Sequence, residues 1–593
     1  ISNDTNSMKR LLIPISIIAA SLYFGSCNDL KIGDDFLEKG PGADVTLDTI
    51  FASKQYAERA LAAAYRHLPY GVMYSWDAAE DKLGVDLLES TTDLCQSYLG
   101  WGCGAERHYY NGQYNASVAD TYDVMYAYTK ERSWEAIRKA YIFLENVDRV
   151  PDMTAEEKAI RKGEAKMVIA VQYTQMMRHF GGLPLIDKAI YPGDDYNYPR
   201  ETIEKTVNFI INLCNEAAAV LPWQVSVEED GRFTKAAALG LKVRVLLFAA
   251  SPLFNDGQPY LDGEASTNLM VWYGNKSDQR WQDVVDACKE FEQANNSGSY
   301  YYQLVETGDY RQDFQDAWYK RRNGEVLIST RVAYTCPDIW NGDFYFMQSA
   351  GWYGCSCPTL NYMDMFGNAD GTSFNIDWDN IPQGVNPFEG RDPRLYETLV
   401  INGDKWQGRT AETYIGGQEQ KTENDTRCRT GSVMRKFLRE HDYATLTGSV
   451  IHWPYLRLAE IYLSYAEALN ELGRTGEAYE WVDKVRGRVG LPKLQRNLSQ
   501  EQFREMVLNE RAVEFGFEEI RWFDLVRWKR AEDFTKPLYG VKTWRQADGS
   551  YKYEKWQLAE RYWKKNWSPK WYLCAFPPEE INKGYGLVQN PGW

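Results

Sequence analysis

The sequence predicts a mainly α-helical protein, in which a tetratricopeptide-like helix-pair scaffold carries a large loop-rich insertion with short strands. Two observations predict this architecture. Hydrophobic residues recur at helical spacing in successive pairs of segments along most of the chain. Between about residues 300 and 448 that periodicity lapses, and Gly, Pro, Asn and Asp become frequent.

The helical segments form an ordered series. An Ala-rich amphipathic segment, Phe51–Leu68, comes first. Two pairs and a single segment follow it: Trp134–Val150 with Glu157–Phe180, Thr202–Leu221 with Lys235–Ala250, and Trp281–Ala294. Gly181 directly after Phe180, with Pro184 close behind, is typical of a helix C-terminus.

The clearest repeat unit runs from Ala459 to about Pro492. Gly473 marks a turn between two segments in which small, apolar and aromatic residues recur at tetratricopeptide spacing: Tyr462, Tyr465, Ala466, Leu469, Ala478 and Val482. The small residues stand where two helices must approach closely. Any antiparallel helix pair shares this pattern, so the series of pairs is stronger evidence than this unit alone.

The insertion at about residues 300–448 combines turn residues with many aromatic rings. Short strands are predicted at Glu325–Arg331 and Tyr396–Asn402. A long irregular insertion on a helical scaffold is usually functional or disordered, and this concentration of rings argues against disorder.

A run of interleaved charged and aromatic residues, Asn509–Trp528, lies near the C-terminus. Ser499 and Gln502 form a capping box that opens the preceding helix. Because the charges alternate so closely with large rings, some of them must be buried and paired with each other. This favours a structural cluster of ion pairs and rings over a catalytic use of its carboxylates.

The N-terminal residues predict export. Met8-Lys9-Arg10 precedes a short apolar stretch that ends at Gly25-Ser26-Cys27, which is typical of a bacterial lipoprotein signal peptide. We therefore predict upstream residues and a signal peptide at 1–26, a lipid anchor on Cys27, a polar tether at 27–44 and a single domain at 45–593.

Composition narrows the classes of function. A formal net charge of −16 argues against nucleic-acid binding and against direct adhesion to an anionic membrane. The 21 Trp and 41 Tyr exceed what a core needs and favour surfaces that stack on ligands or partners. The five His are dispersed and no nucleophile or nucleotide motif is present, so we expect no catalytic residues, no metal and no cofactor.

The C-terminal run also carries a resemblance. Arg511, Glu514 and Phe515, the segment Arg521–Trp528 and the final Gln589–Trp593 resemble the signatures of the SusD/RagB family, surface lipoproteins of Bacteroidetes that capture nutrients beside a TonB-dependent transporter. The segment Pro358–Gly371 resembles the family's Pro-Thr…Ala-Asp-Gly segment. Two residues depart from the C-terminal signature, here residues 499–530, because Glu519 and Lys529 stand where the family commonly has Gly.

The resemblance implies a SusD-like fold and a non-catalytic function. The protein would bind oligosaccharides or polysaccharides at the cell surface, anchored by lipid to the outer membrane, and deliver them to a SusC-like transporter barrel. Capture of peptides, as in RagB-like relatives, is the nearest alternative, and a surface glycoside hydrolase or esterase is a rival from another class. A scaffold that grips only a protein partner is a further alternative.

The ligand-binding loops of this family vary in sequence, so the candidate residues are chosen by region. Tyr98 and Trp101 lie in the loop after the first helix, and four more rings lie in the insertion before the Pro-Thr segment: Trp340, Phe344, Trp352 and Tyr353. A pyranose ring stacks its C–H face on such flat side chains. Packing of each ring within its own loop is an equally favoured interpretation. Three tryptophans in helical segments are predicted to be core residues instead: Trp134, Trp281 and Trp522.

Overall fold

The computed structural model describes residues 46–71, 83, 86–98, 104–121, 123–298, 300–332, 354–406, 408–437 and 451–593. The predicted signal peptide, the Cys27 anchor and the tether lie outside these residues. Within them, no helix combines the length and the apolar character needed to cross a membrane.

Helices form most of the scaffold. In chain order they are α1 Leu47–Ile50, α2 Lys54–Tyr65, α3 Ser133–Asn146, α4 Ala155–Phe180, α5 Ile203–Val220, α6 Lys235–Ala250, α7 Glu264–Thr267, α8 Gln279–Ser297, α9 Tyr310–Tyr319, α10 Leu360–Met365, α11 Pro393–Thr398, α12 Leu458–Glu471, α13 Thr475–Arg488, α14 Gln500–Phe515, α15 Arg521–Arg527, α16 Ala531–Thr535, α17 Trp563–Asn566 and α18 Pro578–Ile581. The longer predicted helices are confirmed, with ends within four residues of the expected ones.

The ends of the helices follow the expected chemistry. Thr154 and Glu157 form a capping box at the start of α4, and Gly181 ends that helix at a φ of +83°. The predicted box of Ser499 and Gln502 opens α14. Side-chain oxygens thus satisfy backbone N–H groups that a helix leaves unpaired at its first turn.

The long helices pack in a row that follows chain order. Each of α2 to α5 contacts the next helix, α6 contacts α8, and α8 contacts α12 of the predicted repeat unit, which pairs with α13. Between α12 and α13, Gly473 adopts a φ of +73°, and the rings of Tyr465 and Trp481 stack with centroids 4.5 Å apart. Ala466 and Ala478 are fully buried at this interface, so small residues occur where the helices approach closely.

The strands are short and pair only in twos within the described residues. They are β1 Cys95–Gln96, β2 Val326–Val332, β3 Cys357–Pro358, β4 Leu399–Val400, β5 Lys405–Trp406, β6 Arg409–Thr410, β7 Val433–Met434, β8 Ile451–Arg457, β9 Tyr539–Arg545 and β10 Tyr551–Gln557. All five pairs are antiparallel: β1 with β3, β2 with β8, β4 with β7, β5 with β6, and β9 with β10.

Of the two strands predicted in the insertion, one is confirmed and one is largely wrong. Strand β2 covers the predicted Glu325–Arg331 to within one residue. The predicted strand Tyr396–Asn402 is instead the end of α11 followed by the two residues of β4. Asp392 caps α11 and Pro393 occupies its first turn, and this local start signal outweighs the β propensity of the residues that follow.

Candidate functional site

One of the six predicted ligand-binding residues, Tyr98, lies in the described part of the chain. The other five lie outside it: Trp101, Trp340, Phe344, Trp352 and Tyr353. Their role therefore remains a prediction from the sequence.

Tyr98 lies where two distant loops meet. Just before it, β1 pairs with β3, and the backbone N–H of Tyr98 donates to the carbonyl of Gly354 at 2.8 Å. A Cβ on Gly354 would lie 3.2 Å from that of Tyr98, and its φ is +75°, so a glycine suits this position. The loop after α2 and the loop before the Pro-Thr segment are thereby joined.

The half-buried ring of Tyr98 is one of three neighbouring groups. The guanidinium carbon of Arg429 lies 5.0 Å from the centre of the Tyr98 ring and 6.0 Å from that of Trp556. Lys542 Nζ lies 5.5 Å from the Trp556 ring and 2.7 Å from Glu423. We refer to Tyr98, Arg429 and Trp556 as the Tyr98 cluster.

Trp556 is positioned by a β-hairpin that the sequence interpretation missed. Strands β9 and β10 pair so that Trp556 lies opposite Gly540. A Cβ on Gly540 would come within 2.8 Å of the indole nitrogen, so the absent side chain makes room for the ring. The alternation of Tyr551–Gln557 after Asp548-Gly549 was the signal that would have revealed this hairpin.

The polar atoms of the Tyr98 cluster are incompletely satisfied. Burial raises the pKa of the Tyr98 phenol, so its hydroxyl stays protonated at neutral pH. Within the described residues, that hydroxyl, the Nε of Arg429 and the indole N–H of Trp556 are buried and lack a hydrogen-bond partner. Three such atoms in one cluster are costly unless water or a ligand satisfies them.

The predicted burial and pairing of charges in the C-terminal signature is confirmed. Arg457 contacts Glu325 at 2.7 Å, Glu514 at 3.1 Å and Glu518 at 2.7 Å, and Arg488 contacts both Glu325 and Glu514. Surrounding guanidinium groups outweigh desolvation and hold the pKa of Glu514 well below its usual range. Glu514 is therefore ionised and engaged by several arginines, which suits a structural role rather than proton transfer.

A polar cavity of about 500 Å³ lies beside this network. Some of its charged lining groups are paired: Arg394 bonds to Glu510, also in the lining, at 2.6 Å, and Arg521 bonds to Asp93, outside the lining, at 2.8 Å. Burial raises the pKa of Asp364, which also lines the cavity, to about 6. We therefore interpret the cavity as a gap within the ionic network of the scaffold.

The prediction that three helical tryptophans are core residues holds for two of them. Trp281 and Trp522 are buried, but Trp134 is only half-buried. Trp134 instead lines a groove of about 890 Å³ with Tyr128, Tyr196, Tyr198 and Tyr585. We refer to it as the Trp134 groove. The residues around a helix, not its own periodicity, decide whether its apolar face is fully covered.

Comparison with known proteins identifies the family. A model of the SusD family matches residues 329–593, and a second model, described as starch-binding and associating with the outer membrane, matches residues 72–247. The chain belongs to the SusD family. Its C-terminal signature and its Pro-Thr segment both fall within the first match.

Relatives of known structure have the SusD fold. A SusD-like protein of Bacteroides fragilis NCTC 9343 superposes with a TM-score of 0.71 at 25% identity, over 94% of this chain and all of that chain. A SusD-like carbohydrate-binding protein from the same organism superposes with a TM-score of 0.67 at 20% identity, over 90% and 99%. The predicted helix-pair scaffold is thereby confirmed.

A relative known by sequence spans almost the same length. SusD-like protein P38 of Formosa agariphila is 22% identical to this chain over 573 residues, which cover 90% of this chain and 94% of that relative. The resemblance inferred from short motifs therefore extends over nearly the whole protein.

Proposed function

We propose that this protein binds oligosaccharides or polysaccharides at the cell surface without cleaving them, and passes them to a partner TonB-dependent transporter. Its family includes a member described as carbohydrate-binding, and one matching family model is described as starch-binding and associating with the outer membrane. We further propose that a lipid on Cys27 provides the attachment to that membrane.

The Tyr98 cluster is the observation that carries this proposal. Two half-buried rings flank a guanidinium group at the meeting point of two loops. A sugar ring presents an apolar C–H face to aromatic rings, and its hydroxyls accept hydrogen bonds from a planar, multidentate donor such as Arg429. Each stacked ring contributes on the order of 1 kcal/mol.

The absence of cleavage is supported by the state of the buried carboxylates. A glycosidase needs one carboxyl group that donates a proton and a second that acts as base or nucleophile. In the C-terminal signature, Glu514, Glu518 and Asp524 each accept charge-assisted bonds from arginines. Their engagement makes these three carboxylates unsuited to this chemistry.

Incubation with a panel of soluble polysaccharides tests both parts of the proposal. We expect depletion of at least one polymer onto the protein with no new reducing ends. Trp556→Ala should weaken that binding about five- to tenfold, whereas Tyr301→Ala, an exposed tyrosine outside the cluster, should leave it unchanged. Release of reducing ends would overturn the non-catalytic claim, and binding of peptides alone would favour the RagB-like alternative.

Delivery requires a physical complex with the transporter. Co-expression with a TonB-dependent transporter encoded beside this gene, followed by affinity purification, tests it directly. Recovery of the two proteins together supports the proposal, and their separation at low salt and high protein concentration contradicts it.

A further inference from the structure

The Trp134 groove shares no lining residue with the Tyr98 cluster. One wall is the first part of helix α3, where Trp134, Ile137 and Arg138 share one face at helical spacing. The second wall is the loop from Pro184 to Tyr198, and the third is the end of α18 with Tyr585. With about 890 Å³, the groove has the volume of a typical small-molecule or oligosaccharide site.

Aromatic rings at different depths line the groove. Tyr128 is buried at its base and contacts Trp134 edge to face at 5.6 Å, so the indole is held at a fixed angle. Tyr196 is 55% exposed, and Tyr198 is half-buried. A ring as exposed as Tyr196 gains little from the core, and its flat face is available to a ligand.

The charges of the groove are balanced. Its lining includes three cations, Arg138, Lys188 and Lys583, and three anions, Asp194, Asp195 and Glu580. An anionic ligand would need an excess of cations, and a purely apolar ligand would desolvate these groups without replacing their bonds with water. A neutral ligand that carries many hydroxyl groups fits both the rings and the polar edge.

The loop that forms the second wall is fixed in place. Glu145 accepts from the backbone N–H of Ala189 at 2.8 Å and from the hydroxyl of Tyr191 at 3.2 Å. Arg138 donates to the carbonyl of Ile190 at 2.9 Å, and Tyr173 joins the start of the loop through the backbone of Pro184 and Ile186. Binding of a ligand in the groove therefore loses little free energy to ordering of this loop.

We infer that the Trp134 groove is a second sugar-binding site, which takes neutral pyranose units of the same polysaccharide that the Tyr98 cluster binds. The inference rests on the proposed function, because it assumes a glycan ligand. Tyr196 and Trp134 provide stacking faces, and Asn197 with Asp195 at the rim provides partners for hydroxyl groups. Two sites on one chain make polymer binding stronger than binding at either site alone, as soon as one polymer reaches both.

Affinity electrophoresis of the full chain through gels that contain neutral polysaccharides tests this inference. The polymer that most retards the unmodified protein serves as the probe. Tyr196→Ala should weaken retardation about three- to tenfold, and Asn197→Ala should weaken it in the same direction. Both side chains are exposed, so neither change threatens folding. Tyr301→Ala, which is 49% exposed elsewhere, is the matched control.

The outcomes separate this inference from the proposed function. Weaker binding by the groove variants, with the control unchanged, supports it. Unchanged binding by Tyr196→Ala and Asn197→Ala, while Trp556→Ala loses binding, overturns the second site and leaves the proposed function intact. If no polysaccharide retards the unmodified protein, the second site and the proposed function both fail.

Discussion

Arg521 and Asp93 are 428 residues apart in the chain and form a buried, two-pronged ion pair, with N–O distances of 2.9 and 2.8 Å. Lys536 approaches the same carboxylate at 2.6 Å. The neighbouring cations outweigh the effect of burial and hold the pKa of Asp93 well below its usual range. The segment before β1 is thus fastened to the C-terminal signature.

Breaking the ion pair between Asp93 and Arg521 should lower the stability of the folded protein. Asp93→Asn leaves the Arg521 guanidinium buried with a weakened partner, so we expect the free energy of unfolding to fall by about 3 kcal/mol or more. Denaturant titration at neutral pH measures it. Asp48→Asn, which removes an exposed pair with Arg149, should cost no more than about 1 kcal/mol. Equal losses in the two variants would contradict the assignment of Asp93 as a buried anchor.

Glu89 should make stability depend on pH. Burial, reinforced by nearby Glu519, raises its pKa to about 8, and its Oε2 has no hydrogen-bond partner within the described residues. The folded protein favours the protonated form of Glu89. The stability that this preference provides is fully present below about pH 4.5 and is lost as the pH rises to about 8. Burial also raises the pKa of Asp86 to about 6, which adds a loss of the same sign at lower pH.

The variant Glu89→Gln isolates this effect. It keeps an acceptor for the backbone N–H of Glu519, which donates to Glu89 at 2.7 Å, and it cannot ionise. Between pH 5 and pH 8 the unmodified protein should lose roughly 2 to 4 kcal/mol of stability that the variant keeps. Unfolding curves at several pH values provide the comparison, and parallel pH profiles for the two proteins would refute the assignment.

Both departures from the family's signature have left-handed backbone conformations. Glu519 and Lys529, which replace commonly found glycines, have φ angles of +56° and +53°. A branched side chain is strained in this region, while glycine is not. We expect Lys529→Val to destabilise the protein by about 1 to 2 kcal/mol and Lys529→Gly to change stability by less than about 0.5 kcal/mol, since it loses only a partly exposed pair with Asp256. Thermal unfolding distinguishes the two, and equal effects would argue against strain at this turn.

A substitution at Gly540 disturbs the Tyr98 cluster without changing any of its three residues. In Gly540→Ala the new Cβ would lie 2.8 Å from the indole nitrogen and displace the Trp556 ring. We expect glycan binding to weaken about as much as in Trp556→Ala, by about five- to tenfold. Affinity electrophoresis measures the loss, and circular dichroism checks that the hairpin persists. Full binding by a folded Gly540→Ala variant would mean that the ring position is not important.

Local chemistry explains how much of the fold was predictable. Thr154, Gly181, Ser499 and Gly473 mark helix ends by interactions that involve only nearby residues, and each was read correctly or fits the predicted boundaries. The strand predicted at Tyr396–Asn402 failed because the start signal lies earlier, at Asp392 and Pro393.

The candidate site was less predictable because its parts come from distant segments. Tyr98 was selected by region, but Arg429 joins it from another loop and Trp556 from a hairpin. Trp134 was predicted to be a core residue because it lies in a helical segment, yet the loop opposite leaves a groove beside it. Spacing along a chain does not reveal which remote segment covers a side chain.

The long separation between Asp93 and Arg521 means that the two partners of this ion pair are synthesised far apart in time. At about 5 to 20 residues per second, a ribosome needs roughly 20 to 90 s to travel from one partner codon to the other. During that interval the Asp93 carboxylate cannot be buried together with the cation that pairs with it. Products that terminate before residue 521 lack both cations that contact Asp93, so this carboxylate would have to be buried without a partner.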